Sequence, residues 1–366
     1  MSTFQTSLSL YIGDLSAGLR RFLADGTRVA VLASASVVRC SGDRLGLADL
    51  DRRCGVSLLP AIGADAPLDQ VEASLLALRE SGAEHLVAIG GGSTLDAAKV
   101  LSVFAGGGDV RRVFAGADNL PTHKIPLVAV PTTAGSGAET SFGAILFDEV
   151  SGIKGGLRGS ILQPSHAVVD PTLYLSAPSS LLAECGFDAL THAIETGVSK
   201  AANAMSRYHS AAAIRVLLEK LPQVVEKRCP LAMEQVAMAS LMMGANLANS
   251  TTCLPHRIQY ALRQSCALSH AKGLMVLYRG WTAAWRRQPG VTSFDELAAM
   301  LGYSRTGLLD RVDELKQRLG LVARLSDFGL NESDLAAIAA RVSGKLDQDP
   351  LYMGREIILD ILRDSL

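Results

Sequence analysis

Asp188, His192, His256 and His270 are the residues of this chain best suited to chemistry: one carboxylate and three imidazoles, drawn from only seven histidines in 366 residues. Neutral imidazole with carboxylate suits a divalent ion such as Fe²⁺ or Zn²⁺, and no thiolate belongs to the pattern. Asp188 and His192 stand four apart in GFDALTHAIE, so on a helix both side chains leave the same face about one turn apart. His256 in LPHRIQYAL and His270 in LSHAKGLM reach the same ion only if separate segments fold back on that first pair. A lone histidine is more often a satisfied core or cap residue than a ligand, and the D-x3-H spacing is what favours a metal.

The rest of the chain must supply that fold. With 48 % hydrophobic residues it can bury at least one large core and is expected to form two domains. A formal net charge of -1, without a basic block or an acidic tail, gives no footing for nucleic acid or a membrane surface, so a small-molecule substrate is expected. The N-terminal MSTFQTSLSLYIGDLSAGLRRF lacks the basic start and apolar run of a secretory signal, which makes the cytoplasm the expected location. MEQVAMASLMMGANLANS is too interrupted by polar groups for a membrane span and reads as a buried helix. Six cysteines form no CxxC pair and read as core thiols.

From residue 28 to about 175, RVAVLA, VSLLPAI, HLVAIG, PLVAVP and HAVVD read as strands, and PLDQVEASLLALRESG and STLDAAKVLSVF as helices. This is the βαβ rhythm of a parallel sheet. RLGLADLDRRCGV and FAGGGDVRRVFAGADN read as surface loops, as does SGIKGGLRGS. After Pro178 the pattern turns helical: SSLLAECGFDALTHAIETGV, AMSRYHSAAAIRVLLEKL, LAMEQVAMASLMMGANLA, SFDELAAMLG, LLDRVDELKQRLG, ESDLAAIAARVSG and REIILDILRDSL. The break near 171–180 divides a 1–175 domain from a 176–366 domain.

HLVAIGGGSTLDAAK runs from an apolar strand through Gly90, Gly91 and Gly92 into a helix, with Ser93 as its expected cap and Asp96 as capping-box partner. Glycines allow close backbone approach, and the free N–H groups and positive dipole end of a helix favour a phosphate. The spacing is neither GxGxxG nor GxxxxGK[ST], so a ligand-free tight turn is the competing reading. A second post-strand loop, VAVPTTAGSGAE, offers Thr132, Thr133 and Ser136 to a ribose, phosphate or amide.

GGGSTLDAAK, PTTAGSGAE, VVDP and GFDALTHAIE occur in the order and approximate spacing of the iron-containing, or group III, alcohol dehydrogenases, and the chain resembles that family over nearly its whole length. In the family two further histidines lie fourteen residues apart, as His256 and His270 do here. The resemblance implies an α/β, Rossmann-like dinucleotide-binding domain followed by an all-helical metal- and substrate-binding domain, the plan shared with dehydroquinate synthase. It also implies Asp188, His192, His256 and His270 as ligands of one divalent metal, Fe²⁺ or Zn²⁺. Gly91, Gly92, Ser93, Asp96, Thr132, Thr133, Ser136 and Lys154 are implied around NADH or NADPH, and a homodimer is expected. The implied reaction is hydride transfer between the nicotinamide and an aldehyde carbonyl polarised by the ion.

The sequence departs from the family at three places. Where many members carry a histidine four residues after the third ligand, this chain has Tyr260, either a hydrogen-bond donor to the substrate oxygen or a packing residue. Where NAD-preferring members carry an Asp after the first strand, this chain has Ser34, which removes a charge that repels the 2′-phosphate and lets NADPH be accepted. Arg257, beside a ligand in LPHR, with Arg263 and Arg158 further off, can fork onto an anionic substrate group unless it is merely solvated or ion-paired.

LPHR-type segments resemble a subgroup that includes phosphonoacetaldehyde reductases, which form 2-hydroxyethylphosphonate in phosphonate biosynthesis. The competing functions are a neutral-aldehyde or polyol dehydrogenase of the same family, a dehydroquinate synthase-like lyase, which the D-x3-H pair disfavours, and a non-catalytic homologue. Maleylacetate reductases often lack the ligands that are present here.

Overall fold

The structure, a computed structural model, describes residues 6–41, 45–266, 268–288 and 290–366. Readings that fall on Met1–Gln5, the Cys40 side chain and Arg44 lie outside the described residues. Up to Pro178 these residues form one compact unit, and Ser179–Leu366 form a second.

The first unit runs β1 Ser9–Ile12, α1 Leu15–Phe22, β2 Val29–Ala33, α2 Ala35–Ser41, α3 Leu47–Cys54, β3 Val56–Leu58, α4 Leu68–Ser81, β4 His85–Gly90, α5 Gly92–Phe104, α6 Val110–Phe114, β5 Leu127–Pro131, β6 Gly143–Asp148, β7 Ile153–Arg158, β8 His166–Val169 and α7 Pro171–Tyr174. Six strands form a parallel sheet in the order β1-β8-β5-β4-β2-β3, and β6 and β7 form a separate antiparallel hairpin. The central strands are unbroken apolar runs because both of their faces are covered. Leu86 and Ala88 point into the core shared with α4 and α5, while Val87 and Ile89 point into the opposite core with Leu15 and Leu19 of α1.

The chain adds β3 on one side of β2 and then crosses to add β4 on the other, which makes the β2/β4 junction the switch point of the sheet. Ligands of open parallel sheets bind outside the carboxyl ends of the strands at such a point. Ser34 follows β2 and its N–H donates to Ile89 O of β4 at 3.0 Å, so Ser34 and the glycine run share that edge.

Three segments expected as loops are ordered elements. Leu50 and Cys54 form the buried face of α3, and α6 buries Val110 and Val113 behind an Asp109 cap. SGIKGGLRGS supplies β7: its glycines fit because a Cβ at Gly156 would lie 2.8 Å from Ile145 Cδ1, and one at Gly155 would lie 3.2 Å from Phe114. The short, half-exposed β1 had no apolar run to announce it.

The second unit contains α8 Ser179–Val198, α9 Ala204–Lys227, α10 Pro230–Asn249, α11 Leu254–Leu262, α12 His270–Arg287, α13 Ser293–Met300, α14 Arg305–Arg318, α15 Glu332–Arg341 and α16 Glu356–Asp364. α8 is buried on almost every side, and α9 lies close on it: a Cβ at Gly186 would fall 2.2 Å from Leu221 Cδ1. α9 continues through the buried Pro222, past the expected end at Leu221. α11 and α12 were absent from the run of expected helices. Among the described residues no helix is long and apolar enough to cross a membrane, and MEQVAMASLMMGANLANS forms the body of α10. The five described cysteines are free thiols.

Candidate metal centre and cofactor cradle

α8 presents Asp188, His192 and Glu195 at positions i, i+4 and i+7, a single helical face, and buries all three. α11 contributes His256, and α12 contributes His270 as its first residue. Asp188 Oδ1 lies 3.7 Å from His192 Nδ1, 3.7 Å from His256 Nε2 and 3.8 Å from His270 Nε2. Ligands about 2.1 Å from a four-coordinate ion lie about 3.4 Å from one another, close to these separations.

Asp188 Oδ1 and His256 Nε2 are buried and have no hydrogen-bond partner among the described residues. Two such atoms aimed at one point are costly unless something cationic joins them, so the donor set fits a divalent ion. Asp188, His256 and His270 form the tightest group, with ligand atoms within 4.8 Å of one another. His192 stands alongside, its ring 4.5 Å from that of His256.

The electrostatics are those of a cation site. Burial alone would raise the Asp188 carboxyl, but His192 first, then His256 and His270, outweigh it and hold the group below the ordinary carboxylate range. Burial would lower His256, yet Glu195 foremost, with Asp188, pushes it up to about 9. A proton and a metal ion thus compete for one place.

Glu195 and Gln259, which the sequence reading passed over, orient two of the imidazoles. His256 Nδ1 is 2.9 Å from both oxygens of Glu195, and His270 Nδ1 is 2.6 Å from Gln259 Oε1. Gly273 leaves Gln259 room, since a Cβ there would fall 2.7 Å from Gln259 Cγ. Asp349 accepts from Leu254 N at 2.9 Å and Trp281 Nε1 at 2.9 Å, anchoring the start of α11; burial pushes its carboxyl up to about 6 against these donors. Spacing could have found Glu195, seven after Asp188, and Gln259, three after His256. Nothing local marks Asp349.

Among the described residues Arg257 is neither solvated nor ion-paired. It is buried, its Nη2 donates to Thr251 Oγ1 at 2.9 Å and Thr252 Oγ1 at 3.1 Å, and its Nε has no partner among the described residues. Its guanidinium carbon lies 6.0 Å from the Tyr260 ring centre, and that ring stacks on His270 at 6.0 Å. Arg263 caps the end of α11, and Arg158 is exposed on β7 of the first unit.

In the first unit, Gly91 rather than Ser93 is the N-cap of α5, and no side chain caps the helix. The expected capping box does not form because its members are engaged elsewhere. Ser93 Oγ accepts from Asp65 N at 3.0 Å, while the Asp96 carboxylate takes Ile145 N at 2.9 Å and Lys99 Nζ at 2.9 Å. The glycine run is required by crowding rather than by positive φ, which none of the three adopts. A Cβ at Gly91 would lie 3.1 Å from Thr133 Oγ1, and one at Gly92 would lie 2.8 Å from Ser136 Oγ. Thr132 N donates to Gly90 O at 3.0 Å, so both loops form one cradle around the uncapped N–H groups of α5, a setting that suits a pyrophosphate.

Lys154 sits on β7, not in a solvated loop, with its buried Nζ 2.7 Å from Asp65 Oδ1. Asp65 and Ala66 both have positive φ, +64° and +49°, in the turn beside Ser93. Ser34 Oγ accepts from Val37 N at 3.4 Å, at the start of α2.

Comparison with known proteins identifies the family of both units. Residues 14–171 match the iron-containing alcohol dehydrogenase domain, and residues 182–366 match the C-terminal domain of the same family. The probable alcohol dehydrogenase EutG of Escherichia coli is 30 % identical over 297 residues, covering 78 % of this chain and 73 % of the relative. The 1,3-propanediol dehydrogenase of Klebsiella pneumoniae is 30 % identical over 308 residues, covering 81 % and 79 %. The fold also matches the NAD⁺ complex of sulfoacetaldehyde reductase from Bifidobacterium kashiwanohense, with a TM-score of 0.89, 22 % identity, and 99 % and 98 % coverage. With a glycine cradle in one unit and an Asp/His cluster in the other, this chain belongs to the iron-containing alcohol dehydrogenase family.

Proposed function

We propose that this chain interconverts a small aldehyde and its alcohol by hydride exchange with NADH or NADPH, and that its preferred aldehyde carries an anionic group, as phosphonoacetaldehyde does. The observation that carries the redox reading is the convergence of the orphaned Asp188 Oδ1 and His256 Nε2, with His192 and His270 completing the ligand set. A bound divalent ion supplies Lewis acidity that polarises a carbonyl oxygen.

The protein's own groups do the rest. Gly91, Gly92, Ser93, Thr132, Thr133 and Ser136 hold the cofactor's phosphates and ribose, and Ser34 lies where a 2′-phosphate needs no repelling charge. Asp96 acts indirectly, accepting from Lys99 on the same helix and tying α5 to the backbone of β6. Lys154, steadied by Asp65, borders the cradle. Tyr260, held by stacking on His270, offers its hydroxyl to the substrate oxygen.

The anionic reading rests on Arg257. A buried guanidinium with only two hydroxyls as partners and no carboxylate within ion-pair distance among the described residues is suited to an anion brought by a ligand. The test is NADH or NADPH oxidation by the Fe²⁺- or Zn²⁺-loaded protein with propanal and with phosphonoacetaldehyde. Turnover with either supports the redox reading, and none, despite bound metal and cofactor, favours a non-catalytic homologue. Arg257→Ala raises KM for the anionic aldehyde about tenfold or more beyond its effect on propanal. Equal effects on both remove the anionic reading and leave the redox reading standing.

A further inference from the structure

α8 carries a third buried acceptor on its metal-facing side. Glu195 is fully buried, and no lysine or arginine lies within ion-pair distance among the described residues. Its oxygens meet His256 Nδ1 at 2.9 Å each, and Oε2 also accepts from Cys253 N at 2.7 Å, the residue that opens α11. Glu195 therefore touches both the imidazole and the backbone of the segment that delivers it.

A carboxylate on Nδ1 requires that nitrogen to carry the hydrogen, which leaves the lone pair on Nε2. Nε2 is the atom that faces Asp188 Oδ1 at 3.7 Å. His270 receives a neutral version of the same restraint from Gln259. The two orienting groups thus differ in charge: with Asp188, Glu195 brings two negative charges to a centre that suits a doubly positive ion. Asp349 is nearby in kind but not in role. It is equally buried, yet it spends its oxygens on Leu254 N, Leu351 N and Trp281 Nε1 and touches no imidazole.

We infer that Glu195 is a positioning residue for the metal: it fixes the tautomer and ring orientation of His256 and supplies the second negative charge that retains a divalent ion. Partners of this kind typically change metal affinity about tenfold to a hundredfold. The inference rests on the metal reading of the Asp188 cluster, and its test separates the two.

The experiment measures the affinity of the full-length, metal-stripped chain for Zn²⁺ and Co²⁺ by competition with a chromophoric chelator, and records the visible spectrum of the Co²⁺ form. Glu195→Gln keeps the volume and removes the charge, and is expected to bind both ions about tenfold to a hundredfold more weakly with an altered Co²⁺ spectrum. Asp349→Asn is the control: it loosens the start of α11, lowering thermal stability, while affinity stays within about threefold of wild type. Glu195→Asp restores the charge but withdraws it by one methylene, so its affinity falls between those of wild type and Glu195→Gln; it also serves as the test should Glu195→Gln not fold.

A Glu195→Gln chain that binds metal as wild type does, or a Glu195→Asp chain that does so where Glu195→Gln does not fold, overturns the inference and leaves the metal reading intact. The same holds if Asp349→Asn loses as much affinity as Glu195→Gln, because the effect is then only the seating of α11. A wild-type chain that binds neither ion overturns both.

Discussion

The candidate metal centre and the candidate cofactor cradle are built by opposite means. The centre collects side chains from three helices of the second unit and orients them through buried Glu195 and Gln259. The cradle uses two short loops of the first unit, and its defining residues, Gly91 and Gly92, contribute by having no side chain. The centre should therefore be sensitive to which atoms are present, and the cradle to how much space is filled.

Removing a ligand oxygen gives the sharpest form of that contrast. Asp188→Asn keeps the shape but replaces the charged oxygen shared by three imidazoles. Turnover is expected to fall about a thousandfold or more, equivalent to about 4 kcal/mol, as metal content drops toward zero. Binding of the reduced cofactor, followed by its fluorescence, stays within about threefold. A parallel loss of cofactor binding would break the separation between the regions.

Buried carboxylates sharpen it further, because the two regions shift them in opposite directions. Asp188 is held ionised by its imidazoles, whereas Glu139, in the loop after β5, is raised to about 7, first by burial and only partly offset by its own backbone and Lys99. Since 7 lies above the ordinary 4.5, the stability tied to a protonated Glu139 is complete below about pH 4.5 and lost as pH rises through about 7. Glu139→Gln should thus raise stability by about 3 kcal/mol at pH 8 and hardly change it at pH 4, read from urea midpoints at both. An equal gain at both values would remove burial of charge as the cause.

Crowding is the cradle's own vulnerability. Gly92→Ala places a methyl 2.8 Å from Ser136 Oγ, an overpacking cost of about 1–3 kcal/mol that should raise the cofactor KM about tenfold to a hundredfold with full metal content. Adding Ser136→Gly opens the space, so the double variant should bind the cofactor as well as Ser136→Gly alone does. Without that rescue the glycine's role would not be steric.

The same contrast explains what was legible in the sequence. Histidine is scarce here, so D-x3-H and the pair fourteen apart stood out, and strands covered on both faces read as unbroken apolar runs. Glu195 lay in plain view at i+7, but an acidic residue on a helix ordinarily reads as solvated. Asp349 is 95 residues from the N–H it holds, and only the folded chain brings them together. The β6–β7 hairpin was hidden because glycine weakens every strand signal, although here it is what lets Ile145 and Phe114 pack. The Ser93–Asp96 capping box failed because tertiary partners outbid a local pairing that spacing alone allowed.

Ser34 tests whether the cradle can also discriminate by charge. It immediately precedes α2, where its Oγ accepts from Val37 N, and Asp is as good a helix N-cap as Ser, so Ser34→Asp should leave the fold and the candidate metal centre unchanged. The new carboxylate would stand at the β2/β4 switch point, where it opposes a 2′-phosphate and accepts from ribose hydroxyls. The ratio of kcat/KM for NADPH over NADH should fall about tenfold, by loss with NADPH more than by gain with NADH. An unchanged ratio would mean that this side chain does not face the ribose, and that the cradle recognises its cofactor by backbone and space alone.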